Sequence, residues 1–276
     1  MLLLTIKGQF FLASILHNAG AIALNFAWAE PSKRKTPELD YASSLLQASA
    51  ALNENSQSMW RLTAFVAAEL NQPEMSRFAL ALSDQEWEDL LNRAEAYYFE
   101  KQSPEMLKWA RVAQAGNPTT PITDVFGSAA AYFAEDWVTT IRLFPTDYHW
   151  KDHDLSPSTV ASAWSMLGDA YRHQQQYDNA LAAYKNALDA DPTHYKALMW
   201  TGNLEWQLFR DQEAAFGLWR AAALSSPSSE WAYQRMGRHY VEINMLNEAC
   251  QMAAYLLEIN PGQSWAIELL RTTDDC

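Results

Sequence analysis

Glycine is scarce in this chain, with 9 in 276 residues. Folds that depend on glycine-rich loops are therefore unexpected. Cysteine is scarcer still. Cys250 and the terminal Cys276 are too few for a disulfide framework. No CxxC or Cys/His cluster has zinc-ligand spacing. Positive charge is also short: 20 Lys and Arg face 33 Asp and Glu, a net −13. Phosphate binding needs clustered cations, so nucleic acid is not an expected partner. Phosphate-loop, dinucleotide, nucleophile-elbow and HExxH patterns are all missing. No stretch alternates with a period of two for more than a few residues, which argues against sheet. What is abundant is apolar surface, at 49% of residues, enough for a large core and against wholesale disorder. The length fits two domains or one elongated array.

The positive signal is a repeat. Gly168, Gly202 and Gly237 are spaced by 34 and 35 residues. Alanine stands twelve residues after each (Ala180, Ala214, Ala249), and proline 24 or 25 after (Pro192, Pro227, Pro261). Trp164, Leu198 and Tyr233 stand four before. Small residues let paired helices approach closely, large ones fill the space beside them, and a proline without an N–H stops the second helix. Trp164, Leu167, Gly168, Tyr171, Ala180, Tyr184, Ala187 and Pro192 together resemble the 34-residue tetratricopeptide repeat. The same offsets recur upstream at Leu90, Ala94, Tyr97, Met106, Ala110, Ala113 and Pro118, and more loosely around Ala64, Ser128–Ala129 and Gly20. Helix B of the Ala129 copy is cut short by Pro145, and 146–158 reads as a loop. In the first copy the spacings from Gly20 are ten residues too long, an insertion placed at Glu30–Pro37.

The expected fold is all-α: an α-solenoid, a right-handed superhelix of about seven helix pairs closed by a capping helix at 264–271. Residues 1–160 read as degenerate repeats, 161–263 as three well-formed ones, and 264–276 as cap and tail. The uncharged stretch 8–29 reads as a repeat helix, because Ser14, His17, Asn18 and Asn25 suit neither lipid nor a signal core. Its alternatives are an export signal ending at Ala27-Trp28-Ala29 or an anchor. A cytoplasmic or membrane-associated location is expected, or an exported one if the segment is a signal.

The resemblance implies a non-catalytic protein–protein interaction scaffold whose first helices line a concave groove, with no cofactor. By its register the partner-binding positions are Asp169, Arg172 and His173, then Asn203, Trp206 and Gln207, then Gln234, Arg238 and Glu242. Trp206 is either a groove anchor held between Arg172 and Arg238 or a packing residue on the next repeat. Trp60 and Trp164 hold signature places and are expected in the core; Trp200, Trp219 and Trp231 do not. Asn203 suits a carboxylate clamp, but Met199 replaces its expected lysine. The opening repeats resemble those attached to bacterial O-antigen ligase and polymerase-type membrane proteins. That resemblance implies a surface-polysaccharide assembly role with a membrane-associated partner. Exposed tryptophans leave carbohydrate binding as a third reading. His149, Asp152, His153 and Asp154 form a loop expected to be solvated rather than metal-binding, and Glu86/Glu88 and Asp274/Asp275 read as surface.

Overall fold

The computed structural model describes residues 2–29, 36–147 and 155–272. Among the described residues all regular structure is helical: α1 (Leu2–Ala29), α2 (Thr36–Leu52), α3 (Gln57–Glu69), α4 (Pro73–Ala81), α5 (Trp87–Phe99), α6 (Ser103–Gly116), α7 (Ile122–Phe133), α8 (Trp137–Leu143), α9 (Pro157–His173), α10 (Tyr177–Ala190), α11 (Tyr195–Leu204), α12 (Gln212–Ser225), α13 (Glu230–Glu242), α14 (Leu246–Ile259) and α15 (Ser264–Thr272). A five-residue π-helical segment, Glu205–Phe209, extends α11. The chain divides after Asp154 into two compact units, α1–α8 and α9–α15. Each is a solenoid of helices packed in consecutive pairs.

The small-residue positions explain the pairing. A Cβ placed on Gly168 would lie 2.7 Å from the Tyr184 ring, and Ala180, Tyr184 and Ala187 around it are fully buried. In the Ala94 copy, Met106, Ala110 and Ala113 occupy the same three places without exposure. Two of the three degenerate copies use hydroxyls there. Ser76 donates to the Ala64 carbonyl at 2.8 Å and Ser128 to the Thr140 carbonyl at 2.9 Å, so a buried polar atom ties helix to helix.

The turn inside each pair answers the shortage of glycine. Asn71, Lys101, Glu135, Gln175, Arg210 and Asn244 all adopt left-handed backbone, with φ between 56° and 60°. In five of these turns two carbonyls of the helix end are capped. For example, Gln176 N–H reaches the Tyr171 carbonyl at 2.9 Å and Gln175 N–H the Arg172 carbonyl at 2.9 Å. The exception follows the π-helical segment, where Arg210 N–H bonds only to the Trp206 carbonyl, at 3.2 Å.

That exception corrects the repeat register. The residue buried against Gly202 is Ala215, not Ala214, which is only half-buried. From Gly202 the steps to Ala215, Trp219, Ala222 and Pro227 are each one longer than those from Gly168 to Ala180, Tyr184, Ala187 and Pro192. The π-helical segment absorbs the extra residue, which is why this repeat has 35 residues. Trp219 therefore does hold a signature place, that of Tyr184, and it is fully buried.

Two boundaries also move. Thr36 and Pro37 belong to α2, so the first-repeat excess is shared with a lengthened α1 and an early α2 start. Leu46 lies 2.9 Å from a Cβ on Gly20, which keeps the ten-residue offset. The loop before α9 ends at Ser156, whose hydroxyl caps Thr159 N–H at 3.2 Å, so Pro157 and Ser158 are helical. No described helix is long and apolar enough to cross a membrane. Residues 149–154 fall outside the described residues, and no metal-holding group of acids, histidines or cysteines occurs among the described ones.

Candidate functional site

α9, α11 and α13 are the first helices of three consecutive repeats in the second unit. Side chains one turn apart along each share a face, and contacts run from each helix to the next. Asp169 on α9 is buried; it accepts a hydrogen bond from Tyr184 at 2.6 Å and pairs with Lys196 of α11 and with Arg172 at 3.6 Å. Burial, and next the Asp169 charge, push the Tyr184 phenol far above its usual value, so it remains a donor. Arg172 stacks over the Trp200 ring at 4.0 Å. Trp200 in turn meets Trp231 of α13 edge-on at 5.2 Å. Asn203 accepts from Arg235 at 3.0 Å and from the Trp219 indole at 3.2 Å. Burial pulls Arg235 below the usual guanidinium value; Glu242 opposes this and the like charge of Arg238 adds to it.

The sequence-derived residues separate into groups. Asp169 and Asn203 are internal links of the ladder. Arg172 and Gln234 are half-buried, while Gln207, Arg238 and Glu242 reach solvent. His173 is exposed and lies 3.3 Å from Arg172. Trp206 is half-buried and packs on the cluster around Trp219 and Met236, with the His239 ring of α13 4.8 Å away. The arginine pair drawn around Trp206 is not formed on both sides, because Arg172 is engaged with Trp200. The cation over Trp206 is Arg210, at 5.2 Å. The π-helical segment turns Trp206 toward the next repeat. Trp164 is buried as expected, but Trp60 is half-buried, its indole donating to the Glu54 carbonyl at 2.6 Å.

Lys196, Trp200, Trp231 and Arg235 are additions. Trp200 and Arg235 stand three residues before Asn203 and Arg238, and Lys196 and Trp231 four before those. Extending the stripe one turn toward each helix start would have found them. The resulting surface is cationic and aromatic: Arg172, Lys196, Arg235 and Arg238 around Trp200 and Trp231. Its internal acid, Asp169, is already paired.

Residues 165–230 match the tetratricopeptide repeat family. No curated protein matches the chain. Among solved structures, an assembly described as the APC/C hetero-tetramer Cut9-Hcn1 aligns with a TM-score of 0.52 at 13% identity, covering 95% of this chain and 53% of that one. The C-terminal part of a TPR repeat-containing protein from Cytophaga hutchinsonii aligns at 0.48 and 14%, covering 91% and 99%. YrrB, described as a TPR protein with an unusual peptide-binding site, aligns at 0.49 and 12%, covering 83% and 99%. The first of these likenesses is one of fold. Residues 165–230, which span the Gly168 and Gly202 copies, are thus a tetratricopeptide-repeat segment, and the helices on either side of it pair in the same way.

Proposed function

We propose that this protein is a non-catalytic interaction scaffold that takes an acidic, extended peptide segment along α9, α11 and α13. The observation that supports it is the ladder Arg172–Trp200–Trp231, flanked by Lys196, Arg235 and Arg238, in a chain whose net charge is −13. On a protein of net charge −13 these cations beside half-exposed indoles form a local positive patch, which an anionic partner complements. The indoles hold apolar side chains, and the guanidiniums pair with carboxylates. Gln207, Gln234, Arg238 and Glu242 are the peptide-facing rim. Asp169, Arg172 and Asn203 hold the ladder's shape, and Trp206 supports it from the adjoining repeat.

Selection of displayed peptides on the purified protein tests this. The expected outcome is a consensus rich in Asp or Glu with an apolar residue, whose binding drops about tenfold or more in Arg238→Glu while the melting temperature is unchanged. Selection of no peptide, enrichment of basic peptides, or preferential capture of glycans would overturn the reading.

A further inference from the structure

α1 is the longest described helix, at 28 residues, and one side of it is packed. Ala13, Gly20 and Leu24 are buried there. Gly20 lies against Leu46 of α2, and the Ala13 carbonyl accepts from the Ser49 hydroxyl at 2.9 Å. His17 is half-buried on the same side. Burial first, and then the Arg61 charge, hold its pKa below the ordinary value, so it is neutral at pH 7. The opposite side is open. Gly8, Phe11, Ile15, Asn18, Ile22 and Asn25 are all exposed, Phe11 at 70% and Ile22 at 56%. Their steps alternate between three and four residues, the spacing of a coiled-coil seam, and the line runs about 26 Å along the helix.

Two observations select what covers this line. The first is charge. Asp, Glu, Lys and Arg make up 19% of the chain, yet none occurs in 8–29. Leu12, Ser14, Ala19 and Ala21 flank the line, in the places where charges ordinarily choose the partner of a helix. A charged partner finds nothing to pair with there. Two copies of a chain with net charge −13 meet through this face without bringing like charges together. The second observation is the asparagines. Lipid, or a wholly apolar groove, would leave the amides of Asn18 and Asn25 without hydrogen bonds. In a parallel pair of identical helices each asparagine meets its own copy, and one amide N–H donates to the other amide oxygen. Phe11, Ile15 and Ile22 then meet their own copies as well. We infer that α1 is a self-association surface, through which two copies of this chain pair in parallel and in register. A seam of this length buries less than a standard protein interface, so the affinity is micromolar. No residue of the α9–α11–α13 ladder takes part.

Sedimentation velocity on the full chain, up to about 500 µM, tests this. The expected result is a reversible monomer–dimer equilibrium. Ile15→Glu combined with Ile22→Glu should weaken it at least about tenfold and leave the helical spectrum unchanged, because both positions are exposed. Asn18→Asp and Asn18→Lys should each weaken pairing by self-repulsion. Mixing those two chains should restore a dimer with one copy of each, because the register sets residue 18 against itself. The same exchange at Asn25 should behave alike, which an antiparallel pair centred on Asn18 would not. A monomer throughout the range, a dimer that the double glutamate variant leaves intact, or mixtures that stay monomeric would overturn the inference. Capture of a monomeric chain by phosphatidylcholine vesicles would assign the face to lipid and overturn it too.

Discussion

Trp219 is the largest side chain fully enclosed in the second unit, and Gly202 is the reason it fits. Truncation to alanine leaves a cavity between α11 and α12, and Trp219→Ala should lower stability by ~3–5 kcal/mol in denaturant unfolding. Gly202→Ala should destabilise from the other side, because its Cβ would sit 2.7 Å from the indole nitrogen and 3.1 Å from the backbone oxygen of Ala215. The latter cannot move aside. His194 sets a pH dependence. Its Nδ1 accepts from Ala197 N–H at 3.3 Å and caps α11. Burial, the largest cause, holds its pKa below the ordinary 6.5; Lys196 acts in the same direction, while Asp191 and Asp169 oppose it. The unfolded chain therefore takes up this proton more readily than the folded one. Stability from this site is complete above about pH 6.5 and falls as the pH drops through that value. His194→Asn keeps a capping oxygen and removes the titration. Its melting temperature should change less than that of the unaltered chain between about pH 7.5 and pH 5.5.

At the scale of the element, the left-handed residues in the turns are strained by their side chains. Gln175→Gly and Lys101→Gly should each raise stability by up to ~1 kcal/mol, because both positions are exposed and glycine adopts that φ freely. Loss of stability in either would mean that these side chains hold the turn. The π-helical segment makes a sharper claim. Deletion of exposed Gln207 should restore a 34-residue repeat and leave a cooperatively folded protein, while deletion of His173 from α9 should shift a register that has no residue to spare. This extra residue was hidden in the sequence for a specific reason. Ala214 and Ala215 are adjacent, so a twelve-residue step lands on an alanine whether or not a residue has been inserted. The turns were hidden differently, since Asn, Lys, Glu, Gln and Arg occupy the place where glycine would have announced a left-handed residue.

For the molecule, the helix-pair architecture was readable because Gly168, Ala180, Tyr184 and Pro192 each carry a separate packing requirement at fixed spacing. Far-UV circular dichroism should accordingly show a predominantly helical protein, and a substantial sheet component would contradict the fold. The candidate surface was only half readable. Asn203 and Arg238 lie on the stripe, but the stripe was begun at the glycine, so Trp200 and Arg235 one turn earlier were left out. Trp206 was misdirected by the π-helical segment, which no residue in 205–209 announces. The binding mode proposed has an acidic peptide lying across α9, α11 and α13. The most direct measurement is the indole N–H spectrum of ¹⁵N-labelled protein titrated with the selected peptide. Saturable shifts of the Trp200 and Trp231 signals are expected, lost in Arg238→Glu, with the enclosed Trp219 moving less. Saturable binding that leaves Trp200 and Trp231 unshifted would place the peptide elsewhere and contradict it.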